Sequence, residues 1–249
     1  MINEEYKISY LKFNKIVNQI AHVLVSKGLK AGDRVAVQAE KSVIQIALYV
    51  ATIKAGGVYL PLNTGYTTNE LSYFINDSSS SIVIVDSKIE NKLKELLNNQ
   101  NIIILTLNGD ESGSLNESLV QQDENFDPVD RKKDDLAAIL YTSGTTGKSK
   151  GAMLSHKNLV SNTSVLKEAW QYSSDDTLLH MLPIYHTHGL FVAFNLLAYV
   201  NGSIIFLPKF SIQDALKWMK KSTSMMGVPT FYTRLLSDEK FNHDLVKHM

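Results

Sequence analysis

Residues 141–151, with the sequence YTSGTTGKSKG, combine glycines, hydroxyl side chains and lysines in one short stretch. Glycine lets backbone N–H groups approach an anion closely, and hydroxyl groups donate hydrogen bonds to phosphate oxygens or complete a magnesium coordination shell. Lysine ammonium groups offset the negative charge of phosphates. The apolar run at residues 136–140 predicts a strand that leads directly into this stretch. The pattern therefore favours binding of the phosphates of a nucleotide, with ATP as the leading candidate.

The candidate phosphate-binding residues are Thr142, Ser143, Gly144, Thr145, Thr146, Gly147, Lys148 and Lys150, and Thr145 is also the candidate contact for Mg2+. A plain hairpin tip is the structural alternative for such a composition. The P-loop motif G-x-x-x-x-G-K-[ST] is a second alternative, but its spacing needs glycine where this chain has Thr142. In addition, residues 151–154 predict a strand, whereas a P-loop leads into a helix. The stretch therefore fits the P-loop motif poorly.

The composition excludes several classes of function. Lys plus Arg and Asp plus Glu number 25 each, so no net charge attracts the chain to nucleic acid or an anionic membrane. The chain has no cysteine, which excludes disulfides, thiol catalysis and cysteine-ligated metals. No apolar run is long enough to cross a bilayer, and residues 1–10 lack the features of a signal peptide. We expect a cytoplasmic protein that binds neither nucleic acid nor membranes.

Helix and strand patterns alternate along most of the chain. Helical spacing at residues 9–27 is followed by a strand pattern at 34–37, and the alternation continues to residue 107. Such alternation favours an α/β fold with largely parallel sheets covered by helices. Residues 108–134 are rich in Gly, Ser, Asn and Asp and predict a surface connection. We therefore expect two lobes, at about 1–130 and 131–249.

Residues 141–151 closely resemble the signature of the adenylate-forming acyl-CoA synthetases, and KAGGVYLPLN (54–63) and LPIYH (182–186) fall where that family has related segments. Residues 186–191 (HTHGLF) and 226–236 (MGVPTFYTRLL) resemble the malonyl-CoA synthetases in particular. The resemblance implies the N-terminal half of an adenylating domain. It also implies that malonate or methylmalonate displaces pyrophosphate from ATP, giving an acyl-adenylate. The thiol of coenzyme A then displaces AMP.

Two residues are candidates for contact with the acid substrate. The resemblance places His186 in a loop that lines the acyl pocket, while a partly buried histidine bonded to the backbone is the structural alternative. A dicarboxylic acid needs a partner for its distal carboxylate, and a bidentate arginine suits that role. Arg234 is the candidate in a chain with only three arginines, and a surface arginine on a helix is the alternative. His186 and His188 could form a metal-binding pair, but no third ligand lies near them in the sequence, and His180 belongs to no recognisable metal-ligand spacing, so we expect no transition-metal site.

Several motifs of the family are not found after Arg234. They include the segments that hold adenine and ribose, the glutamate that helps to bind magnesium, and a C-terminal domain with the catalytic lysine. No catalytic residue is therefore assigned. We expect residues 1–249 to be a truncated adenylating domain that is inactive alone, and a separately encoded C-terminal half could complete it. The alternatives are a non-catalytic remnant or split-enzyme subunit that acts only as a binding module, and an unrelated phosphate-binding hydrolase.

Overall fold

The computed structural model describes residues 1, 7–97, 101–142 and 149–249, and the chain forms two compact units. The first unit contains Leu11–Asn158, and the second contains Met1–Tyr10 with Leu159–Met249. The sequence pattern predicts a division near residue 130, whereas the units divide after Asn158. The division falls later because two strands beyond residue 130 pair with the sheet of the first unit.

Helices and strands alternate through the first unit. In chain order the elements are α1 (Tyr10–Ser26), β1 (Arg34–Gln38), α2 (Val43–Lys54), β2 (Val58–Pro61), α3 (Thr68–Ser78), β3 (Ser80–Val85), α4 (Ser87–Leu97), β4 (Ile103–Thr106), α5 (Ser114–Glu117), β5 (Leu136–Thr142) and β6 (Lys150–Ser155). The six strands form one sheet in the order β4-β3-β1-β2-β5-β6. All neighbouring strands are parallel except β5 and β6, which are antiparallel. The predicted α/β fold with a mainly parallel sheet is confirmed.

The central strands of this sheet are continuous apolar runs because both of their faces are covered. In β1, for example, Val35, Ala36 and Val37 are all fully buried. Phe74 of α3 packs in one core cluster with Leu60 of β2 and Ile139 of β5, together with residues of β3 and α4. The position of α3 against β2 and β5 is therefore fixed by apolar packing.

The second unit is built around a smaller parallel sheet. Its elements are α6 (His156–Trp170, which begins in the first unit), β7 (Thr177–His180), a π-helix (His188–Phe194), α7 (Asn195–Tyr199), β8 (Ser203–Phe206), α8 (Ile212–Met219), β9 (Ser224–Met226), α9 (Pro229–Leu236) and α10 (His243–Val246). The strand order is β8-β7-β9. Pro229, which the sequence predicts at the end of a strand, instead begins α9. A proline suits the first turn of a helix because its missing N–H has no partner there in any case.

Two of the three arginines have structural roles in the first unit. Arg34 donates from Nε to the carbonyl of Ser78 at 2.6 Å, from Nη1 to that of Gly32 at 3.1 Å, and from Nη2 to that of Ser79. The bonds to Ser78 and Ser79 satisfy carbonyls at the end of α3, where intrahelical partners are missing. Arg131 pairs with Asp135 at 3.2 Å. The guanidinium groups of Arg34 and Arg131 therefore make contacts within the first unit that stabilise its fold.

Replacing Arg34 by methionine, Arg34→Met, is expected to lower the free energy of unfolding by about 1.5–3 kcal/mol, because charge-assisted hydrogen bonds to carbonyls are lost. Urea denaturation followed by circular dichroism measures the change. Lys92→Met, on an exposed position of α4, is the control and should be nearly neutral. Equal effects of the two substitutions would show that the carbonyl contacts of Arg34 do not stabilise the fold.

Candidate functional site

The antiparallel β5–β6 hairpin brings together the two ends of the candidate phosphate-binding stretch. Thr142 on β5 lies opposite Lys150 on β6, and Tyr141 lies opposite Gly151. The side chains of Thr142 and Lys150 are both exposed. A hydroxyl donor and an ammonium group therefore lie side by side and face solvent. That is a combination suited to a phosphate ligand.

The tip of this hairpin falls outside the described residues. Ser143, Gly144, Thr145, Thr146, Gly147 and Lys148 are the predicted phosphate-binding residues in that part, and their assignment stays a prediction. The residues after the tip form strand β6, as the sequence predicts, and not the helix that follows a P-loop.

Gly151 is needed for the packing of this hairpin. A Cβ atom at Gly151 would lie 2.9 Å from Cγ2 of Ile139 and 3.5 Å from Cζ of Tyr141. The absence of a side chain leaves room for Ile139, while the Tyr141 ring would be at an ordinary contact distance; the centroid of that ring is 4.6 Å from that of Phe74 on α3. The glycine therefore has a packing role in addition to any role toward a ligand.

Helix α3 contacts the hairpin on both sides of its tip, at Tyr141 and at Ser149, a feature that the sequence pattern does not predict. The Tyr141 hydroxyl donates to Oδ2 of Asp77 at 2.5 Å, and the Tyr73 hydroxyl donates to the carbonyl of Ser149 at 3.2 Å. Burial and the hydrogen bond to Asp77 raise the pKa of Tyr141, so its phenol remains a donor at neutral pH. Tyr73 and Asp77 lie about 70 residues before the hairpin, and only the packing of α3 identifies them.

The loop after β7 holds the histidine that was predicted to contact substrate. His186 is exposed, and its ring centroid lies 4.7 Å from that of Tyr185. Its carbonyl accepts a hydrogen bond from the N–H of Leu190 at 3.1 Å, within the start of the π-helix. Among the described residues, the buried histidine bonded to the backbone is instead His180, whose Nε2 lies 2.8 Å from the carbonyl of Gly189.

The π-helix is held by a close approach of two backbone segments. A Cβ atom at Gly189 would lie 2.1 Å from the carbonyl oxygen of Pro183, so only glycine fits.

Because a carbonyl only accepts, Nε2 of His180 carries the proton in its hydrogen bond to the carbonyl of Gly189. Burial lowers the pKa of the neighbouring His188, which favours its neutral form. Single-turn π-helices frequently occur at functional sites.

Arg234 lies on an exposed face of α9, as in the alternative of a surface arginine on a helix. Its guanidinium lies 5.0 Å from the centroid of the Phe210 ring, which in turn stacks on Phe231 at 4.1 Å. Arg234 also lines a surface pocket together with Thr233 and Asp238. The Phe210 ring orients the guanidinium, and the pocket that Arg234 lines also contains the carboxylate of Asp238. A contact with a carboxylate stays a prediction.

The described part of the chain lacks two further features. It contains no cluster of three or more His, Asp or Glu side chains arranged to hold a metal ion. Thr145, the candidate Mg2+ contact, is not among these residues. None of the helices that the structure describes is long and apolar enough to span a membrane.

The chain belongs to the AMP-binding enzyme family, which it matches over residues 1–248. Its relatives include the malonate–CoA ligase of Arabidopsis thaliana, which is 34% identical over 226 residues, or 84% of this chain and 37% of that protein. The predicted resemblance to adenylate-forming acyl-CoA synthetases is thereby confirmed.

Two solved structures support the same relationship. ATP-bound MatB from Rhodopseudomonas palustris is 50% identical with a TM-score of 0.96, over 99% of this chain and 49% of that one. The inhibitor-bound N-terminal domain of FACL13 from Mycobacterium tuberculosis is 26% identical with a TM-score of 0.85, over 95% of this chain and 60% of that one. This chain spans about half the length of MatB and corresponds to its N-terminal half.

Gly189→Ala is expected to lower the free energy of unfolding by about 3 kcal/mol or more, because the added methyl group would overlap the Pro183 carbonyl. Urea denaturation of the purified protein measures the loss. Gly109→Ala is a matched control, since its Cβ would come no closer than 3.6 Å to Glu40. A Gly189→Ala protein as stable as Gly109→Ala would contradict the packing observed here.

Proposed function

We propose that this chain is the ATP-phosphate-binding part of an acid–CoA ligase that activates malonate or methylmalonate. The observation that carries the proposal is the pairing of Thr142 with Lys150 across the β5–β6 hairpin, in a member of the AMP-binding enzyme family. Support comes also from the malonate–CoA ligases among its relatives and from its likeness to ATP-bound MatB. The chain spans about half of these proteins, so the activity of the whole enzyme is part of the proposal.

In the proposed first step, a carboxylate oxygen of the acid attacks the α-phosphorus of ATP. The bond to the bridging oxygen breaks, and pyrophosphate leaves with increased negative charge. The Thr142 hydroxyl and the Lys150 ammonium are suited to bind that leaving group, since they lie side by side and face solvent. Groups that strengthen their contact as charge develops stabilise the transition state.

Mg2+, when bound, would offset charge on the phosphates, and the hydroxyls of the hairpin are the donors that suit it. Thr145 is the proposed contact. In the second step the thiol of coenzyme A attacks the acyl carbon and AMP leaves. No described residue is assigned to that step.

For the acid, we propose that Arg234 pairs with the distal carboxylate and that His186 contacts the substrate. A carboxylate that leaves water without a partner costs several kcal/mol, and the guanidinium offers two parallel donors. The contact with the Phe210 ring, which itself stacks on Phe231, orients the arginine, so less side-chain entropy is lost when the carboxylate binds. A monocarboxylic acid would gain nothing from this residue.

A chain that binds nucleotide without catalysis is the second candidate function. A remnant or a split-enzyme subunit would retain the hairpin and act only as a binding module. The ligase is better supported by the family and by the relatives. The two functions are distinguished by activity in the presence of the remaining half.

Lys150→Met is expected to weaken the binding of ATP and of inorganic pyrophosphate by about 10- to 100-fold, because a charge-assisted contact is worth about 1.5–3 kcal/mol. Isothermal titration calorimetry at two salt concentrations measures this. The salt dependence of the remaining affinity should also become shallower, since one cation is lost. Lys133→Met, on an exposed position of the same unit, is the control. Unchanged affinity in Lys150→Met would contradict the proposed phosphate site.

Co-expression with a polypeptide equivalent to the remaining half of MatB is expected to give malonate-dependent exchange of pyrophosphate into ATP. In that complex, Arg234→Gln should lower kcat/KM for malonate by about 10- to 100-fold and leave propionate, which lacks the distal carboxylate, unchanged. Lys221→Gln, another exposed cation of the second unit, is the control.

Equal decreases of kcat/KM for malonate and for propionate in Arg234→Gln would contradict the proposed role of Arg234. A co-expressed pair without exchange activity, in which ATP still binds, would favour the non-catalytic module. Exchange by the 249-residue chain alone would contradict the expectation that it is inactive without the remaining half.

A further inference from the structure

Two side chains of α3 are bonded to the two strands of the phosphate-binding hairpin, one to each. Asp77 accepts a hydrogen bond from the hydroxyl of Tyr141, which directly precedes Thr142. Tyr73 donates to the carbonyl of Ser149, which directly precedes Lys150. Thr142 and Lys150 are thus each adjacent in sequence to a residue that is hydrogen-bonded to α3. The two bonds, at 2.5 and 3.2 Å, lie one helical turn apart on the same helix.

The contact with Tyr141 is both polar and aromatic. Its ring centroid lies 4.6 Å from that of Phe74, and Phe74 is buried in the core cluster of the sheet. Gly151 lies directly opposite Tyr141 on β6. The Tyr141 side chain is therefore held between the hairpin and α3, and its hydroxyl is directed to a carboxylate that stabilises it as a donor.

The helix that makes these contacts is itself rigidly placed. At its start, Thr67 and Glu70 form a reciprocal capping box. At its end, Arg34 bonds to the carbonyls of Ser78 and Ser79. Leu71, Phe74 and Ile75 are buried against the sheet. A helix held at both ends and along one face provides a fixed frame for the groups bonded to it.

We propose that Tyr73 and Asp77 are positioning residues for phosphate binding, acting on Lys150 through Ser149 and on Thr142 through Tyr141. The assignment of the ligand rests on the proposed function, whereas the effect of α3 on the two strands does not. Groups that are already ordered before a ligand arrives lose less conformational entropy on binding. Loss of either hydrogen bond therefore weakens binding without removing any ligand contact.

The negative charge of Asp77 allows the inference to be tested by the direction in which the affinity for pyrophosphate changes. A carboxylate near a phosphate site repels the ligand, so electrostatics alone predicts that Asp77→Ala binds pyrophosphate more tightly. The positioning role predicts weaker binding, because the acceptor for Tyr141 is lost. Asp77→Asn keeps an acceptor oxygen and should retain affinity within about twofold of the wild type.

Hydrogen exchange of the ligand-free protein tests the effect on the hairpin directly. Peptides that contain residues 141–142 and 149–151 are followed by mass spectrometry. Tyr73→Phe and Asp77→Ala should each speed exchange of these amides about fivefold, as expected for the loss of one hydrogen bond. Tyr10→Phe is the matched control, since the Tyr10 hydroxyl bonds to the carbonyl of Gly202 in the second unit. Unchanged exchange in both variants would overturn the inference.

Titration with inorganic pyrophosphate tests the effect on the ligand. Tyr73→Phe and Asp77→Ala should each bind about fivefold more weakly than the wild type, with unchanged salt dependence because no cation is lost. Wild-type affinity in both variants, or tighter binding by Asp77→Ala, would overturn the positioning role. If the wild type binds no pyrophosphate while exchange rises as expected, the proposed function fails and the effect of α3 on the hairpin stands.

Discussion

The candidate site depends on one antiparallel strand pair in an otherwise parallel sheet. Parallel strands are joined by long crossovers, so residues at the two ends of a connection do not become direct neighbours. The pairing of β5 with β6 reverses the chain within a few residues and places Thr142 opposite Lys150. The hydroxyl of Thr142 and the ammonium group of Lys150 thereby become direct neighbours.

Around that pair, the first unit supports the hairpin from one side. The ring of Tyr141 contacts Phe74 on α3, and Gly151, which lies opposite Tyr141, leaves room for Ile139. The hairpin is therefore linked to the core of the sheet through an aromatic contact and two hydrogen bonds. Such support matters because groups that are ordered before a ligand arrives lose less conformational entropy on binding. The same residues thus connect the stability of the sheet to the affinity of the site.

In the second unit, tight backbone packing positions the residues that could recognise the acid. Gly189 approaches the carbonyl of Pro183 closely within the π-helix, which begins at His188, two residues after His186. Pro229 starts α9, and that helix carries Arg234 to the ring of Phe210. In both cases a residue with special backbone chemistry, glycine or proline, determines where a polar side chain lies.

The sequence by itself determined the alternation of helices and strands, the mainly parallel sheet and the family, because these follow from local periodicity and from the contiguous stretch 141–151. It also predicted β6 as a strand, which argued against a P-loop. Tertiary structure alone decided the division after Asn158, the contact of Arg234 with the Phe210 ring, and the contacts of Tyr73 and Asp77 with the hairpin. Those features depend on packing between segments far apart in the chain. Local sequence patterns do not predict such long-range contacts.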